Sequence, residues 1–74
     1  MPFHIAKKEK VILKVYDLQG REVHTLVNQV LHAGNHKLVW DGRNSSGSKL
    51  SNGTYVYTLT IGEIIESRTL MIIE

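Results

Sequence analysis

The residues with the greatest potential for chemistry are the four histidines, His4, His24, His32 and His36. Imidazole binds zinc and acts as a general base near neutral pH, but a zinc site needs about four ligands at recognised spacings. These histidines match no such spacing, the chain has no cysteine, and no carboxylates cluster with them along the sequence. We therefore predict structural or surface roles for them and no metal site.

A second candidate is the polar segment 41–52, which is rich in side-chain oxygens. Its best calcium ligands would be Asp41, Asn44 and Ser46. A calcium loop needs oxygen ligands at alternate positions, and Arg43 occupies one of those positions. We interpret the segment as a surface connection in which Asp41 and Gly42 begin a turn that Gly47 relaxes.

Four serines in the same segment, Ser45, Ser46, Ser48 and Ser51, are the available hydroxyl nucleophiles. A catalytic serine needs a base within reach and commonly lies in an elbow motif, but no histidine is close in sequence and no such motif surrounds these serines. The glycines do not have the spacing of a phosphate-binding loop. The sequence therefore predicts a protein that is not an enzyme and needs no cofactor.

The net charge of +2, from nine basic and seven acidic residues, is too small to indicate a nucleic-acid partner or an anionic membrane. The basic cluster Lys7, Lys8 and Lys10 is interrupted by Glu9 and has no interleaved aromatic residues. The longest apolar runs are far shorter than the roughly 20 residues that a bilayer requires. We predict no nucleic-acid binding and no membrane insertion.

Apolar residues recur mostly with a period of two, and β-branched and aromatic residues dominate these stretches, which predicts strands and no helix. The predicted strands are a short one around Phe3 and Ile5 and the segments 11–16, about 22–27, 36–41, 54–61 and about 64–73. The third of these does not alternate strictly, which indicates a bulge or an edge position. In the fourth, Leu38 and Trp40 share one face, so we expect Trp40 to pack in the core.

Turn residues separate these strands. In residues 17–20, Asp17 can accept hydrogen bonds from the following backbone and Gly20 can adopt a positive φ. Gly34 marks a further turn, and Gly62 with Glu63 closes a hairpin. About seven short strands with turns every 8 to 12 residues or so indicate an all-β antiparallel sandwich, with a small barrel as the alternative.

Several motifs, spread over nearly the whole chain, occur in the order and at the spacing of a known superfamily. They are Val15-Tyr16-Asp17-Leu18-Gln19-Gly20-Arg21-Glu22-Val23, Leu26-Val27-Asn28, Ala33-Gly34, Trp40-Asp41-Gly42, Gly47 and Gly53-Thr54-Tyr55. Together they resemble the flagellar hook-capping type immunoglobulin-like domain and the related C-terminal sorting domains of type IX secretion cargo. The resemblance implies an immunoglobulin-like, fibronectin III-like sandwich over residues 1–74, as a single domain and the C-terminal module of a larger exported protein.

The resemblance also implies roles for individual residues. The implied fold determinants are Tyr16, Asp17, Gly20, Gly34, Trp40, Asp41, Gly42 and Gly47. The implied recognition residues are Gly53, Tyr55, Leu70, Met71, Ile72 and Ile73. An apolar last strand at a sheet edge could also pair with another protein or another copy by strand addition.

The superfamily has two uses, and both leave marks on this sequence. The segments 15–28 and 66–73 look like the sorting domains, whereas the long loop 41–47 looks like the hook-capping domain. Sorting domains tend to carry lysine in the last strand and at the terminus, where this chain has Thr69 and Glu74. The leading hypothesis is a non-catalytic sorting or attachment module that a secretion apparatus recognises after it has crossed the inner membrane, and that is exported via the periplasm to the cell surface or the medium.

Two other functions remain open at this level. One is a structural assembly module, of the hook-capping type or a subunit that pairs through its edge strands. The other is a carbohydrate-binding accessory domain, which would need its aromatic side chains exposed side by side. The expected partner is a protein, either secretion machinery or neighbouring subunits, and self-association by strand pairing belongs to the same prediction.

Overall fold

A computed structural model describes residues 1–73 and folds them into six β-strands, with no helix among these residues. The strands are β1 (Pro2–Ile5), β2 (Glu9–Tyr16), β3 (Glu22–Leu31), β4 (Gly34–Lys37), β5 (Gly53–Ile61) and β6 (Ile64–Ile72). The described residues accordingly contain no helix with the length and hydropathy needed to cross a membrane. The predicted all-β class is confirmed.

The strands form two antiparallel sheets of unequal size. The larger has the order β3-β2-β5-β6, and the smaller pairs β1 with β4. Two separate sheets are the arrangement of an immunoglobulin-like β-sandwich and not of a closed barrel. The sandwich prediction is therefore confirmed, and the inequality of its layers decides which surfaces stay open.

The core lies under β2, one of the two strands that are paired on both sides. Val11, Leu13 and Val15 alternate along β2 and are at most 1% exposed, so one face of this strand is fully buried. Ile5 of the smaller sheet and Tyr55 of β5 complete the set of buried apolar residues. Because opposed residues in a ladder share a face, Leu13 places its partners Val27 of β3 and Leu59 of β5 on this inner side.

The predicted strand 36–41 is wrong. The strand in this region is β4, which ends at Lys37, and Trp40 lies outside any strand and is half-buried. The indole Nε1 donates a hydrogen bond to the backbone oxygen of Arg43 at 3.0 Å, which holds the ring against the loop that follows. Leu38 still pairs with Met1, because its N–H donates to the Met1 backbone oxygen at 3.1 Å and its own oxygen accepts from the Met1 N-terminal nitrogen at 2.8 Å, but the pairing does not extend to Trp40. The described residues form six strands, against about seven predicted.

The third strand is longer than predicted, because it continues past Val27 to Leu31. Its register against β2 shifts between Leu13 and Lys14 and again between Val15 and Tyr16, and it forms one edge of the larger sheet. The predicted bulge and edge position are both confirmed. The last strand ends at Ile72, and Glu74 lies outside the described residues.

The turn between β2 and β3 has the predicted geometry. Asp17 Oδ1 accepts hydrogen bonds from the backbone N–H groups of Gln19 (2.9 Å) and Arg21 (3.0 Å), and Gly20 has a φ of +86°. The N–H of Arg21 is the main cause that lowers the pKa of the Asp17 carboxyl below its ordinary value, with help from the Arg21 guanidinium and the Gln19 N–H against desolvation. The hydrogen bonds of this turn therefore favour the ionised form of the Asp17 carboxyl.

Candidate interaction surface

Among residues 1–73, strand β6 forms one edge of the larger sheet and has β5 as its single neighbour. Its nine pairs with β5 run from Gly53 opposite Ile72 to Ile61 opposite Ile64 without a register shift. The two-residue turn at Gly62 and Glu63 makes Ile61 and Ile64 a hydrogen-bonded pair. Alternate residues of β6 from Ile64 onwards therefore direct their backbone groups to β5, and the residues between them direct theirs outwards.

The outward groups belong to Ile65, Ser67, Thr69 and Met71. Among the described residues, no other backbone group forms a hydrogen bond with this outer edge. A row of unpaired N–H and C=O groups is a template for strand addition. The edge is consequently a surface that another strand can extend.

Large apolar side chains on and beside β6 are also open to solvent. Ile64 and Ile65 are each 67% exposed, Met71 is 66% exposed, and Ile73, just beyond the strand, is 75% exposed. For Ile64, on the inner face, the cause is the width of the second layer, since a two-stranded sheet cannot cover all four strands of its partner. Ile65 and Met71 lie on the outer face, which no second layer of the described residues covers. Exposed apolar groups beside an open strand edge are typical of a protein-binding surface.

A groove of about 520 Å³ lies where the smaller sheet stops covering the larger one. Its lining includes Phe3, Tyr57, Leu59, Ile64, Glu66 and Arg68. Phe3 stacks on His36 with the ring centroids 5.5 Å apart, which fixes the wall formed by β1 and β4. The opposite wall is the inner face of β5 and β6.

Four of the six predicted recognition residues lie together on the inner face. Gly53 is opposite Ile72 and Tyr55 is opposite Leu70 in the β5–β6 ladder. Tyr55 is 7% exposed, and its hydroxyl donates a hydrogen bond to the backbone oxygen of Ser51 at 2.8 Å. Tyr55 could therefore affect a partner only indirectly, through the residues that pack against it. Met71 lies on the outer face and Ile73 follows the strand, so the predicted set is split between two surfaces.

Several predicted fold determinants meet at the loop 41–52. The backbone oxygen of Arg43 accepts from Trp40 Nε1 and is also 2.8 Å from Nδ1 of His24 on β3. The side chain of Arg43 reaches Asp41 Oδ2 at 3.3 Å and donates to the backbone oxygen of Gly47 at 2.8 Å. These contacts fold the loop onto itself and tie it to β3.

Contacts within this loop also occupy side-chain oxygens of Asp41 and Asn44, two of the three candidate calcium ligands. Asn44 Oδ1 accepts hydrogen bonds from the backbone N–H groups of Ser46 and Ser48, each at 3.0 Å, and the Arg43 guanidinium lies beside the Asp41 carboxylate. Gly42 packs close to Ile72, because a Cβ on this glycine would lie 3.9 Å from Ile72 Cδ1. Within residues 1–73, no three acidic, histidine or cysteine side chains converge on a possible metal site.

The remaining histidines act locally. His4 Nδ1 is 2.9 Å from Asn35 Oδ1 across the β1–β4 pair, and His36 Nε2 is 2.8 Å from the backbone oxygen of His32. These contacts brace the smaller sheet, in which Gly34 lies opposite the buried Ile5 with a φ of +136°.

The tyrosines do not form a continuous aromatic platform. Tyr57 lies opposite Val15 on the inner face, whereas Tyr16 lies opposite Val56 on the outer face. Tyr55 is on the inner face and buried. The placement on two faces disfavours the carbohydrate-binding alternative, which needs side-by-side rings.

Comparison with known proteins gives a consistent family. The family described as FlgD Ig-like domain matches residues 5–63. The basal-body rod modification proteins FlgD of Salmonella typhimurium and of Salmonella typhi are each 38% identical to the chain over 52 residues. That alignment covers 70% of this chain and 22% of each relative, so the chain spans about a fifth of the length of these relatives.

These similarities change two of the predictions. They support the flagellar hook-capping part of the resemblance and give no support to the type IX sorting part. The predicted location at the cell surface or in the medium is wrong, because the matching relatives are basal-body rod modification proteins and not secreted cell-surface proteins. The recognition and fold roles of single residues stay predictions.

Proposed function

The chain belongs to the FlgD Ig-like domain family, and from this premise we propose that it is a non-catalytic structural assembly module of the hook-capping type. It acts by binding neighbouring protein subunits through the open edge of β6 and the apolar side chains around it. The observation that carries the proposal is the uninterrupted nine-pair ladder whose outer side is unpaired. The proposal replaces sorting by a secretion apparatus as the leading function.

Two further features support a binding role without chemistry. Three histidines each lie within hydrogen-bond distance of a backbone or amide oxygen, which is consistent with a role in stabilising the fold. They are His4, His24 and His36. The groove beside β6 combines apolar walls with the charged residues Glu66 and Arg68, a mixture that suits a protein partner.

The test is photo-crosslinking in the bacterium that encodes the protein. A photoreactive amino acid replaces Ile65 on the outer edge of β6, and a matched variant carries it at Val30, an exposed apolar residue on β3. We expect adducts at position 65 with flagellar proteins or with further copies of the protein itself, and far fewer at position 30.

The identity of the adduct decides the outcome, so each is identified by mass spectrometry. Crosslinks from position 65 to cell-envelope secretion components would contradict the proposal. Equal yields from both positions would show that the edge of β6 has no special role and would contradict it as well.

A further inference from the structure

The sequence of β6 is self-complementary about Ser67, which lies one residue before the middle of the strand. Ser67 directs its backbone groups to the open edge, and it is flanked by one acidic and one basic residue, Glu66 and Arg68. Both charged side chains point to the inner face, where they are 58% and 66% exposed, and their closest charged atoms are 3.9 Å apart. They are available to a strand that pairs with this edge.

If a second copy pairs antiparallel about a two-fold axis at Ser67, each Glu66 lies opposite the Arg68 of the other copy. Such a pair does not exchange backbone hydrogen bonds, and side chains approach most closely at pairs of this type. The same alignment places Ile65 opposite Thr69 of the other copy and Ile64 opposite its Leu70. Apolar pairs of Ile64 with Leu70 therefore form beside the charge pairs.

This register also matches the backbone groups that are free. Ser67 would exchange two hydrogen bonds with Ser67 of the second copy, and Ile65 and Thr69 would exchange two at each side. A shift of the axis by one residue, to Glu66 or to Arg68, would place like charges opposite each other. A shift by two residues, to Ile65 or Thr69, would place neither Glu66 nor Arg68 opposite a charged residue of the other copy.

We propose that the partner of β6 is a second copy of this chain, joined antiparallel about Ser67 into a continuous eight-stranded sheet. This inference rests on the proposed assembly function and deepens it by naming the partner and the register. The interface is isologous, so it closes at two copies and leaves β3 of each copy as an outer edge. Association by this single strand pair is weak and depends on concentration.

The test is sedimentation velocity on the full chain across a concentration series, with charge-reversal variants at the two flanking positions. Glu66→Arg places Arg opposite Arg68 in the homodimer, and Arg68→Glu places Glu opposite Glu66. Each variant converts two attractive pairs into two repulsive ones, so we expect dimerisation about tenfold weaker or more. Lys8→Glu, an exposed reversal away from β6, is the matched control and should leave the dimer unchanged.

A mixture of the two variants supplies the decisive measurement. One partner then carries Arg at both positions and the other carries Glu at both, so the heterodimer has every charge pair restored. We expect the mixture to associate at least as well as the unmodified chain while each variant alone stays monomeric. The double variant Glu66→Arg with Arg68→Glu should also recover the homodimer.

Two results would overturn the inference. The chain could stay monomeric up to millimolar concentration, or the two variants could dimerise as well as the unmodified chain. Either result leaves the assembly function intact if the crosslinks from position 65 reach a different flagellar protein, so the two proposals fail separately.

Discussion

The two edges of the larger sheet differ in how they are protected. β3 shifts register twice against β2, and the backbone oxygen of Val23 accepts a hydrogen bond from Ser45 N at 3.0 Å, so the loop 41–52 covers part of this edge. β6 runs through nine regular pairs and has an open outer side. Bulges and covering loops are the usual protection of an edge strand, so a regular, uncovered edge indicates a surface kept for binding.

The largest expected effect comes from β2, an inner strand that lies between β3 and β5. Leu13 is 1% exposed and lies opposite both Val27 of β3 and Leu59 of β5. Leu13→Ala leaves a cavity between the sheets and should lower the free energy of unfolding by about 2–5 kcal/mol. Ile64→Ala, at a site 67% exposed on β6, should change it by less than about 0.5 kcal/mol. Urea denaturation of both variants checks the contrast, and similar losses would mean that β6 is buried in solution.

The next effect tests which residues of β6 face the open edge. Arg68→Pro removes an N–H that bonds to β5 and should destabilise the fold by about 2–4 kcal/mol. Ser67→Pro removes only an edge-facing N–H and should cost about 1 kcal/mol or less, because proline is tolerated on the free side of an edge strand. Thermal unfolding followed by circular dichroism compares them, and a larger loss for Ser67→Pro would reverse the assigned edge.

A smaller effect lies at the turn that sets the register of β6. Gly62 has a φ of +60°, and a Cβ there would approach the Glu9 carboxylate to 2.6 Å. Gly62→Ala should destabilise the protein by about 1–2 kcal/mol, whereas Gly62→Asn should cost less because asparagine tolerates this backbone conformation. Equal losses in urea denaturation would assign the cost to the contact with Glu9 instead of to the backbone.

The difference between the edges also marks the limit of what the sequence reveals. The alternation of Val11, Leu13 and Val15 predicts β2 and its buried face, because a period of two is a local property of the chain. The sequence does not predict the last residues of β3, because Asn28, Gln29 and Val30 are exposed and show no apolar alternation.

The sequence wrongly predicts a strand at Trp40, because the hydrogen bond from its indole to the backbone of Arg43 leaves no mark in a hydrophobic pattern. The apolar last strand could be read as in need of a partner. Its free edge could not be located, since strand order depends on pairs far apart in sequence. The charge pattern about Ser67 gains meaning only after the structure shows which backbone groups face outwards.

The smallest expected effect is a difference between the two hairpin turns in how acid changes their contribution to the free energy of unfolding. The turn before β3 rests on the Asp17 carboxylate, whose pKa is lowered in the folded protein chiefly by the backbone N–H of Arg21, whereas the turn before β6 rests on the conformation of Gly62. A lowered pKa in the folded state contributes stability that is present above the ordinary value of 3.8 and is lost as the pH falls through the folded value. The free energy of unfolding of the unmodified chain should therefore approach that of Asp17→Asn as the pH falls below 3.8.

Arg21→Gln should keep most of this pH dependence, because the backbone N–H remains when the guanidinium is removed. Urea denaturation from neutral to acid pH measures all three chains, and a difference between the unmodified chain and Asp17→Asn that stays constant with pH would show that the carboxylate charge does not hold the turn.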